Sequence, residues 1–329
     1  MKQNHFEEYL STRFELKNIQ MKDEEIWSAD LISRSDPSQK ILIVNGIPRF
    51  VSSDNYAQSF GLQWNRFKST QLDSASGQPL TFNRFWNNTK WKPRELFGKK
   101  ILEVGSGAGR FTEILLEAGA RVTSFDFSNA VEANFQNNKE KGDLFLFQAS
   151  VYEIPLDLKQ FDFIFCYGVL QHTPDPNKSF DILYSGARDG CKISIDYYPK
   201  YSWPTCWTTP KYFWRPIAKK IAPEKLLRFI QFYIPLWLPF DTLIRKIPYF
   251  GPKILAYVMI PCWNYTHMPL TRRQRKEWAI LDTFDALSAA FDYPKTGDEV
   301  LQMVLRTGQE NVEVFSGSNG YVANLTKGK

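Results

Sequence analysis

Histidine is scarce in this chain: His5, His172 and His267 are the only three in 329 residues. The four cysteines, Cys166, Cys191, Cys206 and Cys262, make no CxxC pair. Their spacings match no zinc pattern, and no His/Asp/Cys cluster has ligand spacing, so no metal is expected. Unpaired cysteines of this kind fit a reduced, intracellular protein. A membrane-spanning helix needs about 20 largely apolar residues. The stretch from Leu226 to Leu243 is mostly apolar but holds Arg228, Gln231, two prolines and Asp241, which argues against a span. The opening residues, MKQNHFEEYLSTRFELK, are charged throughout and do not read as a signal peptide. There is no repeat and no low-complexity tract. No Lys/Arg run interleaves with aromatics as a nucleic-acid groove requires; Arg272, Arg273, Arg275 and Lys276 form a short group that reads as a solvated helix face. The expected setting is cytoplasmic, with no nucleic-acid partner.

What the chain does have is a core. Hydrophobic residues make up 43% and charged residues 23%, enough to fold one large or two ordinary domains. The net charge of +6 suits an anionic substrate or an acidic membrane surface, and is equally an ordinary solubility feature. Aromatics reach 16% and concentrate between Trp203 and Trp263.

The apolar pattern divides the chain. Residues 1–98 read as an N-terminal extension: a polar start, a strand Ile41–Val44 entering the turn Asn45-Gly46, then irregular helices. Residues 99–197 alternate strands and helices. Strands are expected over Lys100–Val104, Val122–Phe125, Leu144–Gln148, Phe161–Tyr167 and Lys192–Tyr197. Helices are expected over Arg110–Ala118, Ala130–Lys141 and Lys178–Ala187. Such alternation means βαβ units and a parallel sheet, and continuous apolar strands mean a sheet covered on both faces. Residues 198–275 break the pattern with Tyr, Trp and Pro and read as an insertion. Residues 276–329 supply helices and a closing hairpin, Val312–Phe315 with Tyr321–Leu325.

The most informative segment is Glu103-Val104-Gly105-Ser106-Gly107-Ala108-Gly109-Arg110. A strand ends in a glycine-rich turn and opens a helix, whose free N–H groups and positive dipole end face a ligand. The next strand ends at Asp126, 21 residues after Gly105, close to the roughly 20 expected of an acid that accepts from ribose hydroxyls. Asp126 could instead cap the following helix, although Ser128 is available for that. The glycines follow G-x-G-x-G rather than G-x-G-x-x-G, with Arg110 where the third dinucleotide glycine belongs and Glu103 two residues before the first. An acid so placed disfavours a pyrophosphate and suits a ligand carrying an ammonium and a sulfonium. An NAD(P)-dependent dehydrogenase and a non-catalytic, cofactor-binding scaffold are the competing readings.

Glu103 to Gly109 resembles motif I of the class I S-adenosylmethionine-dependent methyltransferases. The stretch from Phe161 to Pro176, FDFIFCYGVLQHTPDP, resembles their fourth-strand motif in the small-molecule branch. Gly46–Phe50, Phe60–Trp64 and Leu281–Asp285 resemble a narrower group of bacterial methyltransferases found among glycan and cell-surface genes. The resemblance implies a doubly wound, mostly parallel seven-stranded α/β sheet with an antiparallel last strand. It also implies a degenerate zinc-ribbon-like segment without cysteines, followed by a helical lid, in residues 1–98. It implies S-adenosylmethionine as cofactor. Gly105, Ser106, Gly107 and Gly109 would cradle it, Glu103 would support its amino-acid end, and Asp126 with Phe127 would hold the ribose. Ser150 and Val151 occupy the place near the adenine, where an acid is usual. Cys166 and Tyr167 would face the methionine moiety, although Cys166 is equally read as a small buried hydrophobe.

The implied reaction is methyl transfer to a small molecule or glycan intermediate, most simply at oxygen. The protein's work is then alignment of the acceptor and removal of its proton. His172 has the right ordinary pKa for a base, or else it braces the loop before Pro174. Asp285 and Tyr293 are candidates for shaping the acceptor pocket. Gln63, Trp64 and Arg66 sit on a helix that either closes over the cofactor or simply packs. Residues 226–263 pair Trp, Tyr and apolar residues with flanking Lys219, Lys220, Lys225, Arg228, Arg245 and Lys246. That arrangement suits peripheral contact with the inner face of a membrane, or else a buried insertion or homodimer surface.

Overall fold

The computed structural model describes residues 1–52, 54–201, 209–309 and 311–328, so Cys206 lies outside the described residues. The chain opens with helix α1 (Gln3–Tyr9) and strands β1 (Phe14–Lys22), β2 (Glu25–Ser33), β3 (Lys40–Val44) and β4 (Ile47–Arg49). Asn45 and Gly46 both take positive φ in the tight β3–β4 turn that their sequence predicts. Helices α2 (Gln58–Arg66), α3 (Asp73–Ser76), α4 (Leu80–Thr89) and α5 (Pro93–Leu96) follow. Alternation then sets in, with β5 (Lys100–Val104), α6 (Arg110–Glu117), β6 (Arg121–Asp126), α7 (Val131–Asn138) and β7 (Leu144–Gln148). It continues through β8 (Phe163–Cys166), α8 (Pro176–Gly186) and β9 (Lys192–Tyr197). The insertion holds α9 (Pro210–Ala218), α10 (Pro223–Arg245) and α11 (Gly251–Val258). Helices α12 (Arg272–Ser288) and α13 (Gly297–Leu305) lead to the hairpin of β10 (Val312–Gly317) and β11 (Gly320–Thr326).

All of these strands form one mixed sheet of eleven, in the order β1-β2-β3-β4-β7-β6-β5-β8-β9-β11-β10. The expectation of seven strands is therefore corrected. The four N-terminal strands continue the sheet because β4 joins β7 in parallel, with Arg49 opposite Gln148. The Arg49 guanidinium fastens that junction by donating to Gln148 Oε1 at 3.2 Å and Glu132 Oε1 at 2.9 Å. β5 to β9 are mutually parallel, and β11 runs antiparallel to β9.

Burial of both faces explains the apolar strand sequences. Every residue of β7 and β8 is buried. Leu102, Val104, Ile164 and Ile193 pack into one cluster, while Ile101, Val122, Phe163 and Phe165 pack into another. A third cluster lies beyond the sheet: Leu226, Leu227, Ile230 and Ile234 of α10 meet Ile280, Leu281, Phe284 and Leu287 of α12. Arg215 of α9 is buried beside them and donates to the carbonyls of Ala286 and Ala289 at 3.0 and 2.6 Å, satisfying the end of α12. The aromatic insertion is thus anchored to the helices that follow it.

Two turn glycines are required by geometry. Gly105 has φ +78°, and a Cβ there would lie 2.2 Å from Val169 Cγ2. Gly109 has φ +86°, and a Cβ there would lie 2.1 Å from Asn134 Oδ1 and 2.3 Å from Asn138 Nδ2. Both asparagines are fully buried and bonded to each other, and Asn138 also donates to the Gly109 carbonyl at 2.8 Å, so neither can yield. Gly109→Ala is expected to destabilise the fold by about 3 kcal/mol through the left-handed backbone and the clash together. Urea unfolding measures it; a loss below about 0.5 kcal/mol, the ordinary range for an uninvolved site, would show that the turn relaxes freely.

Candidate active site

The C-terminal ends of the parallel strands open into a cavity of about 720 Å³, within the range of small-molecule sites. One half of its wall comes from the strand ends. Gly105, Ser106 and Gly107 after β5, Asp126 and Phe127 after β6, Val151 after β7 and Tyr167 at the end of β8 all line it. The other half comes from helices: Gln63 and Trp64 of α2, Arg84 of α4, Lys211 of α9, and Asp282 and Asp285 of α12. His172, on the loop after β8, lines the same space.

Asp126 ties the first two turns together. Its Oδ2 accepts from the Gly107 N–H at 2.9 Å, and its Oδ1 accepts from the Ser128 N–H and hydroxyl at 2.8 and 2.7 Å. Two carboxylate oxygens offer about four acceptor sites. These three donors and the nearby Phe127 N–H hold the carboxylate in place at the cavity wall. Burial raises the Asp126 pKa, opposed by these donors.

Glu103 stands elsewhere. It is 1% exposed and is not part of the cavity wall. Its Oε2 accepts from the hydroxyls of Thr112 and Ser124, while Oε1 has no partner among the described residues. Burial pushes its pKa up to about 7. Gly109, Ser150 and Cys166 are also off the cavity wall. Gly109 is held against α7, Ser150 accepts from the Tyr152 N–H at 3.1 Å, and Cys166 is fully buried in the core with its thiol pKa raised by burial. Tyr293 and Arg66 do not line the cavity either.

His172 is 6% exposed, and its Nδ1 lies 2.9 Å from the Phe291 carbonyl. A carbonyl only accepts, so Nδ1 carries the proton and the neutral ring presents a bare Nε2. That Nε2 is buried without a partner among the described residues. Burial lowers the His172 pKa from its ordinary 6.5, against the opposing pull of Asp285 and Asp292. Phe60 and Tyr198 flank the ring at centroid distances of 5.2 and 5.3 Å.

Beyond Gln63 and Asp285, sequence reasoning missed the polar frame opposite the glycine turn. Asp196, at the end of β9, accepts from the Arg84 guanidinium at 2.7 Å and from the Gly168 N–H at 2.5 Å, fixing the loop after β8. The half-buried Arg110 guanidinium donates to Gln71, and desolvation pushes its pKa down to about 10. Gln71 donates in turn to Asp282 at 3.2 Å, Tyr265 donates to the same carboxylate, and burial raises Asp282 to about 7. Gln63 donates to Asp285 at 3.2 Å. Arg84 meets Asp196 across 112 residues of sequence, a separation no local pattern spans.

Residues 102–194 match the family model of the methyltransferase domain. The chain carries a class I S-adenosylmethionine-dependent methyltransferase domain. The tRNA U34 carboxymethyltransferase of Nautilia profundicola is 33% identical over 131 residues, 36% of this chain and 44% of that protein. The ubiquinone biosynthesis O-methyltransferase of Coxiella burnetii is 38% identical over 100 residues, 30% of this chain and 43% of that protein. The chain thus spans less than half the length of these curated relatives. A methyltransferase structure from Methanococcus maripaludis covers 85% of this chain and 97% of its own at 12% identity and a TM-score of 0.45. The methyltransferase domain takes S-adenosylmethionine as its cofactor. The residues present fit that group: the turn at Gly105–Gly107 brings bare backbone to the cavity, and the Asp126 carboxylate lines it beside that turn.

Proposed function

We propose that the protein transfers a methyl group from S-adenosylmethionine to a hydroxyl of a small molecule or glycan intermediate, without a metal. The observation that carries this reading is the buried His172 Nε2, without a partner among the described residues, in the same cavity as the glycine turn and Asp126. The cofactor supplies an activated methyl group when bound. Asp126 would hold its ribose, and the Gly105–Gly107 backbone with Tyr167 would line its amino-acid end. The chain's own contribution is then to orient an acceptor hydroxyl and take its proton. His172 suits the second task, because its Nδ1–H is spent on Phe291 and its Nε2 is free to accept. Arg84, Arg110, Asp282 and Asp285 would orient the acceptor's polar groups from the opposite wall.

Calorimetric titration with S-adenosylhomocysteine and, separately, NADH tests the cofactor assignment. The expected result is micromolar binding of the first and none of the second. Asp126→Ala should weaken S-adenosylhomocysteine about 100-fold, since hydrogen bonds to a charged group contribute roughly 1.5–3 kcal/mol each. Binding of NADH alone would replace this reading with a dehydrogenase. Transfer of labelled methyl into hydroxyl acceptors, unaffected by chelator, tests the rest.

A further inference from the structure

The insertion that walls the cavity on its inner side is unusually apolar on its outer side. Of the 25 large hydrophobic residues exposed among the described residues, 16 fall between Phe213 and Ile260. α10 shows the arrangement most clearly. Leu226, Leu227, Ile230 and Ile234 are buried against α12. Phe229, Phe232, Leu236, Phe240 and Leu243 are 59–69% exposed. At 3.6 residues per turn these five fall in one stripe, turned away from the buried four. From Phe229 to Phe240 the helix has no charged residue at all. Isolated exposed hydrophobics need no explanation, but a continuous face of this size marks an interaction surface.

Charge identifies the occupant. Lys219, Lys220, Lys225 and Arg228 are exposed at one end of the stripe, and Arg245, Lys246 and Lys253 at the other. Glu224 is the one exposed acid among described residues 209–260, because Asp241 is buried and bonded to Arg245 and Asn264. With Arg245 neutralised by Asp241, six exposed cations face Glu224 alone, a surplus of +5 out of the +6 of the entire chain. Two copies of so basic a face would repel one another. An anionic lipid surface meets both requirements, because it offers acyl boundary to the apolar stripe and negative headgroups to the lysines and arginines at its ends. No described helix is long and apolar enough to cross a membrane.

We propose that α9 to α11 form a peripheral docking face for an anionic membrane surface, with α10 lying in the plane of the headgroups. The face is linked to the active-site cavity through α9. Lys211 of that helix lines the cavity and pairs with Asp292 at 2.8 Å, while Phe213, Trp214 and Ile217 of the same helix point outward. Docking would thus place a cavity wall at the lipid interface. It does not depend on the methyl-transfer reading.

Flotation of the full chain with vesicles tests it, using phosphatidylcholine alone and phosphatidylcholine with 30% phosphatidylglycerol at about 0.1 M salt. The expected result is flotation with the anionic vesicles, at least tenfold weaker on the neutral ones. The double variant Phe232→Glu/Phe240→Glu should lose the anionic binding, as should the charge variant Lys219→Glu/Lys220→Glu. Both alter exposed side chains, and unchanged melting temperature and S-adenosylhomocysteine affinity verify that fold and cavity survive. Wild-type protein that stays unbound to either vesicle overturns the proposal. So does anionic binding that survives both variants, or a dimer that the phenylalanine variant dissociates in the absence of vesicle binding.

Discussion

His172→Asn is expected to lower kcat by about 10²- to 10⁴-fold, the range for loss of a positioned general base, while leaving S-adenosylhomocysteine affinity within about threefold. Asparagine is chosen because its amide nitrogen sits near the position of Nδ1. It can still donate to the Phe291 carbonyl, the one hydrogen bond the ring makes among the described residues. What disappears is Nε2, the buried atom without a partner among the described residues. A histidine that only braces the loop before Pro174 would behave in the opposite way, with altered melting and cofactor affinity and little change in turnover. The pH profile gives a second readout. Burial lowers the His172 pKa below 6.5, so the neutral, proton-accepting form dominates at pH 7. Wild-type kcat should therefore be flat near neutrality and fall on an acid limb below pH 6.5. The variant should lose that limb. Turnover within threefold of wild type on the hydroxyl acceptor, with the acid limb intact, would remove His172 from the chemistry.

The half of the site that binds the cofactor was readable because it is local. β5, β7 and β9 occupy the residues expected of them, Lys100–Val104, Leu144–Gln148 and Lys192–Tyr197. Parallel strands covered on both faces are short apolar runs closed by Gly, Asp or Ser, and those punctuate a sequence clearly. The glycine turn and Asp126 follow directly from where such strands end. Of the N-terminal strands, β3 was expected, as Ile41–Val44. β1 was not readable for the opposite reason: eight of its nine residues are at least partly exposed, so no alternation of apolar and polar residues announces it. Of the acceptor half, His172, Asp285, Gln63 and Trp64 were singled out, and the rest was missed because it is assembled from distant segments. Arg84 on α4 and Asp282 on α12 share a wall only after folding, and Arg84 is held there by Asp196 of β9. Glu103 is the instructive case. Motif resemblance implies support of the cofactor's amino-acid end through water, and its side chain turns toward Thr112 and Ser124, behind the cavity wall.

That position makes Glu103→Gln the sharpest probe of the turn. The folded chain holds the Glu103 proton with a pKa of about 7, against 4.5 for the ordinary carboxyl, because burial disfavours the charge. Between those values the native state binds more protons than the unfolded chain. Stability therefore falls as pH rises through this window and levels off above it. A shift of this size corresponds to about 3 kcal/mol of stability present below pH 4.5 and lost above pH 7. Glutamine can keep both hydroxyl donors on its amide oxygen, and its nitrogen takes the place of the unpartnered Oε1. The variant carries no charge to bury, although its buried amide N–H group needs a partner, which offsets about 1–3 kcal/mol. Its melting temperature should lie below that of wild type at pH 5 and lose the alkaline decline, so that the two curves converge or cross near pH 8. Parallel curves from pH 5 to 8.5 would mean that Glu103 is already ionised in the folded chain. Cofactor affinity separates the second question. With the carboxylate behind the wall, S-adenosylhomocysteine binding should weaken less than tenfold, and a greater loss would show that its charge is felt by the cofactor's ammonium group.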